Sequence, residues 1–225
     1  MKTVTLHDGT QVPTPERGAI LMARPLFAND QGKWTLGEKE HPVVVMKTVV
    51  KEVRGQQQVM AIVLPISHSE SGQRNSGALP LTSLQVRGMQ AHAGKQHHLY
   101  TDSPNVIVLN GPDNGVRPKE RGKYGQAFLE FGDVTDPHLL TAAEAMMKSF
   151  VAETRYKVPV QGDKPGVQSD HHRFATTTDP ERRKRILLAA AQQVAAQSVE
   201  ATKVLAPAFL RVGMAPPAQA HAAQR

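Results

Sequence analysis

The 225-residue chain has no cysteine, which excludes disulfides, thiolate-bound zinc and cysteine nucleophiles and fits a reducing, cytoplasmic setting. Hydrophobic residues make up 40% and aromatic residues 4%, so aliphatic side chains must fill the core, and no run approaches the roughly 18 apolar residues of a membrane span. The formal charge of +7 is uneven: residues 1–150 hold 16 Lys/Arg against 14 Asp/Glu and residues 151–225 hold 11 against 6, which implies either an acidic or phosphate-bearing partner or simple solubility.

Met1–Gln11 lacks the apolar stretch of a secretory signal, and residues 1–15 read as a strand or hairpin ending at Pro13 and Pro15. Gly18–Leu26 is a short apolar run suited to a strand, and 27–40 reads as a loop or hairpin around an Asn-Asp-Gln-Gly turn signal. The β-branched run 41–50 and the apolar run 59–66, joined across Arg54-Gly55-Gln56, predict a hairpin. Both runs are almost continuously apolar, so both strands are expected to be buried on two faces. A polar loop follows over 70–77, then short strands near 79–81, 97–100 and 105–109, and a basic glycine-rich turn over 117–125. Asp136 as cap and Pro137 in the first turn predict a helix over about 136–153, with Leu140, Ala143, Met147, Phe150 and Val151 on one stripe. Residues 157–178 read as a linker. A second helix starts at Asp179-Pro180-Glu181 and runs to about Leu205, with Leu187, Ala190 or Ala191, Val194, Ala201 and Leu205 at helical spacing. That narrow stripe suits the barrel, a counterpart in a dimer or another partner. Beyond Pro207 the chain reads as disordered.

The expected organisation is therefore a β-rich α+β domain over 1–153, a linker over 154–178, a basic amphipathic helix over 179–206 and a disordered end over 207–225. A cut near residue 157 is expected to leave the barrel whole.

Several segments, in order, resemble the PemK/MazF-like plasmid-maintenance toxins of type II toxin-antitoxin systems, particularly their longer bacterial members. They are Arg17-Gly18-Ala19-Ile20, the stretch from Glu38 through His41-Pro42 to Val45, Val63-Leu64-Pro65-Ile66-Ser67-His68-Ser69, the stretch from Asn105 to Asp113, and Tyr124-Gly125. The resemblance implies a small SH3-like β-barrel that dimerises, metal-independent cleavage of single-stranded RNA without a cofactor, and a small acidic antitoxin as partner. The family places an arginine before the proline of its valine strand and a threonine at the end of the next strand. Here those positions hold His41 and Ser67, and the acidic residue of the opening strand is replaced by Ala19.

These replacements define the candidate catalytic set, His41, Ser67 and His68. Histidine lacks the fixed cationic fork of arginine but can pass a proton, and serine keeps the hydroxyl. A histidine acting as the acid must be protonated, so such activity falls as the pH rises past the ordinary histidine range. Arg17 and Arg24 are candidate phosphate contacts, as is the run Arg182, Arg183, Lys184 and Arg185 in the first turn of the second helix, where positive charge opposes the helix dipole. His97-His98 and His171-His172 invite a metal reading. Adjacent strand residues such as His97 and His98 face opposite sides, and His171-His172 sit in the linker beside Asp170, so no metal site is expected at either pair. The alternative function is a non-catalytic barrel that uses its basic helix to bind nucleic acid or an acidic protein.

Overall fold

The computed structural model describes residues 2–28, 34–36, 39–68, 77–82, 85–88, 96–111, 128, 130–160 and 179–216. The expected loop over 70–76, the basic turn over 117–125, Asp170, His171, His172 and most of the expected linker lie outside the described residues.

Residues 1–15 form the expected hairpin, β1 (Lys2–Thr5) against β2 (Gln11–Thr14). The main sheet is built from β3 (Ala19–Ala23), β6 (His41–Val53), β7 (Gln56–Ser67), β8 (Ala78–Leu81), β9 (Val86–Arg87), β10 (His97–Tyr100), β11 (Asn105–Val108) and β12 (Glu130–Val134). Its strands run in the order β8-β10-β7-β6-β3-β12-β9, with β11 also paired to β7, and the sheet curls into a half barrel. A small separate pair, β4 (Leu26–Ala28) and β5 (Trp34–Leu36), fills the segment read as a loop or hairpin.

The β6–β7 hairpin organises everything else. Arg54 and Gly55 both have positive φ, 53° and 77°, the two-residue turn whose twist matches that of paired strands. As the apolar runs predict, the strands are buried on two faces. Val44, Met46, Leu64 and Ile66 join one core, while Val43, Val45, Val59, Ala61 and Val63 join another with Ile107, Leu6 and Val12. A bulge between Val45 and Lys47 keeps Met46 in the first core before the strands run out into the exposed half of the hairpin.

Helix α1 (Pro137–Thr154) starts where predicted. The Asp136 carboxylate accepts the N–H groups of His138 and Leu139, and Arg155 ends the helix in the left-handed conformation. The single helix expected over 179–206 is instead two. Helix α2 (Pro180–Ala195) ends at Ala196, and Ser198 opens α3 (Val199–Arg211) by accepting the N–H of Ala201. Helix α3 also passes through Pro207, so residues 207–211, expected to be disordered, are helical. Ala208 and Phe209, 0% and 1% exposed, anchor the chain beyond the proline and offset the hydrogen bond it removes.

The stripe of α2 and α3 is not left for a partner. Leu187, Ala190, Ala191, Val194, Ala201, Leu205 and Phe209 lie in one core with Ile20, Val44, Leu64, Ile66 and Leu99 of the sheet and Leu139, Met146 and Phe150 of α1. A cut near residue 157 would strip that core, contrary to the expectation from sequence.

Candidate functional site

The strand register gathers the chemistry at one end of the sheet. His41 pairs with Ala23 across β3 and β6, and Ser67 pairs with His98 across β7 and β10. The last pair of the β6–β7 ladder is Val43 with Pro65, so His41 and Ser67 lie two residues beyond it, at the same end of the two strands. His98 in turn faces Pro80 on β8. Opposed residues of antiparallel strands share a face with Cβ atoms roughly 4.5–5.5 Å apart. The row at this end is thus made of two paired sets, Ala23 with His41, and Ser67 with His98 and Pro80.

The next residue along each strand faces the other side. His68 and His97 meet there, their rings stacked with centroids 6.0 Å apart and 29° between planes. His97 thus stacks on His68, while His98 pairs with Ser67 and Pro80. Among the described residues, no group of three or more His, Cys, Asp or Glu side chains gathers as metal ligands.

Burial separates the two histidines of the row. His41 is exposed, whereas His98 is 4% exposed and its Nδ1 has no hydrogen-bond partner among the described residues. Burial lowers the His98 pKa below its ordinary value, the nearby Arg211 and His97 lower it further, and a bond to the backbone of Gln96 opposes them. His98 is thus neutral at pH 7.

The candidate cations fall into three places. Arg24 follows β3 one residue past Ala23, the partner of His41, so it lies at the same end as the row. Arg17 does not. Gly18 bonds the Val45 carbonyl, four residues along β6 from His41 and roughly 13 Å away by strand rise. The Arg17 guanidinium instead donates to Glu144 of α1 at 2.8 Å, and Lys148 meets the same carboxylate at 2.7 Å. Burial raises the Glu144 pKa, but the Lys148 bond and the charges of Arg17 and Lys47 outweigh it and hold the carboxyl below its ordinary value.

The basic turn of α2 is tied to neighbouring acids. Arg185 donates to Glu153 of α1 at 2.6 Å and Lys184 to Glu181 at 2.7 Å. Asp179 caps the helix through the N–H groups of Glu181 and Arg182, so acidic groups offset the dipole penalty read from the sequence. Arg182 and Arg183 are half-buried in the same turn.

The sequence reading missed His98 as a member of the row. Its partner Ser67 lies across a connection of about thirty residues, a distance over which no hairpin rule sets the register.

A hydroxyl paired with a buried imidazole, with an exposed imidazole at the same end of the sheet, can orient a phosphodiester and move a proton at it. No family model, curated protein or solved structure matches this chain.

Proposed function

We propose that the protein is a metal-independent endoribonuclease acting on single-stranded RNA, a PemK/MazF-like toxin on an SH3-like barrel. The observation that supports this reading is that His41 and Ser67, the two positions singled out by the family resemblance, lie at the same end of neighbouring strands, with His98 paired to Ser67. In the reaction a base takes the proton of a ribose 2′-hydroxyl and the 2′-oxygen attacks the adjacent phosphorus. The bond to the 5′-oxygen breaks, and an acid protonates that oxygen as it leaves. The products are a 2′,3′-cyclic phosphate and a 5′-hydroxyl. His41, on the solvent side, is the proton-transfer group, and Ser67 orients the reacting oxygens. A homodimer and a small acidic antitoxin are part of the same reading.

Incubating the full chain with single-stranded RNA in the presence of a chelator tests it. Fragments ending in a 2′,3′-cyclic phosphate support the reading, and intact RNA together with normal growth on expression sinks it. RNA that is bound but never cut favours the non-catalytic barrel, whose affinity should fall steeply with salt as phosphates displace counterions.

A further inference from the structure

We propose that His68 and His97 form a two-histidine site for a divalent transition-metal ion of the zinc, nickel and copper class, on the opposite face of the sheet end from Ser67 and His98. The site goes beyond the ribonuclease reading and takes no part in its chemistry.

The strand register builds it. Strands β7 and β10 are antiparallel and pair Ser67 with His98, so one step outward on β7 and one step back on β10 brings His68 beside His97. The same step turns both side chains to the other face. The rings meet there, with centroids 6.0 Å apart and planes inclined by 29°. Two imidazoles that share one tetrahedral ion, each nitrogen roughly 2.0–2.1 Å from the metal, hold their ring centres about 5 Å apart. The pair is thus within about 1 Å of that spacing, and the broad last torsion of a histidine side chain lets the rings close the gap. The argument against a metal at His97-His98 is that those two face apart; the fold supplies His97 with a different partner.

Exposure and neighbours define the kind of ion. His68 is exposed and His97 half-buried, so the pair is open to water, and pairing with Leu81 of β8 steadies His97 from its other side. Among the described residues no third histidine, cysteine, aspartate or glutamate joins the pair in a ligand group, so water completes the shell. Structural zinc sites take four protein ligands, and two imidazoles with the remaining positions open make a weaker, exchangeable site. Imidazole suits zinc, nickel and copper, whereas magnesium and calcium take oxygen ligands. An ion held by this pair clips the end of β7 to β10, the two strands whose pairing sets Ser67 beside His98, without touching either of those side chains.

The test is a titration of the full chain, stripped with a chelator, with zinc ion alone and, separately, with copper(II) and magnesium ions. Calorimetry reads the affinity of each, and the ring resonances of His68 and His97 locate the zinc. Zinc should shift both rings together, and the thermal midpoint should rise with zinc concentration, because the ion binds the folded chain. Copper(II) should bind more tightly than zinc, and magnesium should not bind. His68→Gln and His97→Gln should each weaken zinc binding at this site roughly 10²-fold, the gain that comes from fixing two ligands on one frame. His68 is exposed, so His68→Gln should keep the metal-free midpoint of wild type and carries the test if His97→Gln folds poorly. Rings that ignore zinc, or that respond as strongly to magnesium, overturn the site. So does a single variant that loses less than about threefold, because each histidine would then bind the ion by itself.

Discussion

His41 and His98 lie at one end of the sheet in opposite environments, and that contrast makes separate predictions for activity and stability. His41→Ala removes the exposed proton-transfer group and should lower RNA cleavage roughly 10²-fold or more, with little change in the thermal midpoint because the side chain is exposed. An alanine variant as active as wild type would take His41 out of the mechanism. For His98, burial first and Arg211 second depress the pKa below the ordinary 6.5. Above that value neither the folded nor the unfolded chain holds the proton, so the contribution of the neutral ring is complete. As the pH falls below it, the unfolded chain binds a proton that the folded chain does not, and stability declines until the folded-state pKa is reached. Urea midpoints should therefore fall between pH 7 and pH 5 in wild type and fall less in His98→Gln. A parallel decline in both proteins would show that His98 is not the group responsible.

At the scale of single elements, α1 shows how a cap is built and what it contributes. Burial raises the Asp136 pKa, but bonds from the Gln85 amide and from the N–H groups of His138 and Leu139 outweigh it, so the carboxyl lies below its ordinary value. Asp136→Ala should cost about 1 kcal/mol in urea unfolding at neutral pH, with the difference shrinking below pH 3.8 as the wild-type carboxylate takes its proton. An unchanged difference down to pH 2 would show that the cap acts without its charge. This helix start was legible because Asp-Pro followed by an apolar stripe is a local signal, and the β6–β7 hairpin was legible for the same reason. The break at Ala196–Ser198 was not. A serine among alanines and glutamines looks like helix interior until the packing of Ala201, Leu205 and Phe209 demands a change of direction. His41 and Ser67, in turn, were singled out by the family resemblance, at the ends of two recognisable strands. Their union with His98 depends on how β10 returns across the sheet, which no local pattern records.

Across the whole molecule, the distribution of charge and the distribution of burial assign different roles to the last third of the chain. Its positive excess suggested a detachable nucleic-acid arm, but its apolar residues are shared with the sheet. Phe209, 1% exposed, lies in the same core as Ile66, Leu79 and Leu99, and Leu205 and Leu187 are fully buried there. Phe209→Ala should therefore destabilise the entire fold by about 3–5 kcal/mol, as truncating a large aromatic in a packed core does. Leu188→Ala, on the outer face of α2 and 47% exposed, should stay within about 0.5 kcal/mol of wild type. The measurement is denaturant unfolding followed separately by far-ultraviolet circular dichroism and by exchange of the backbone amides of the β6–β7 hairpin. If α2 and α3 belong to one cooperative unit, the two probes of Phe209→Ala move together to a lower midpoint. A helical transition that moves alone, with the hairpin transition unchanged, would mean that the tail unfolds independently of the sheet. A truncation near residue 157 would then be a fair test of which part handles RNA. If the transitions move together, that truncation would report only on unfolding.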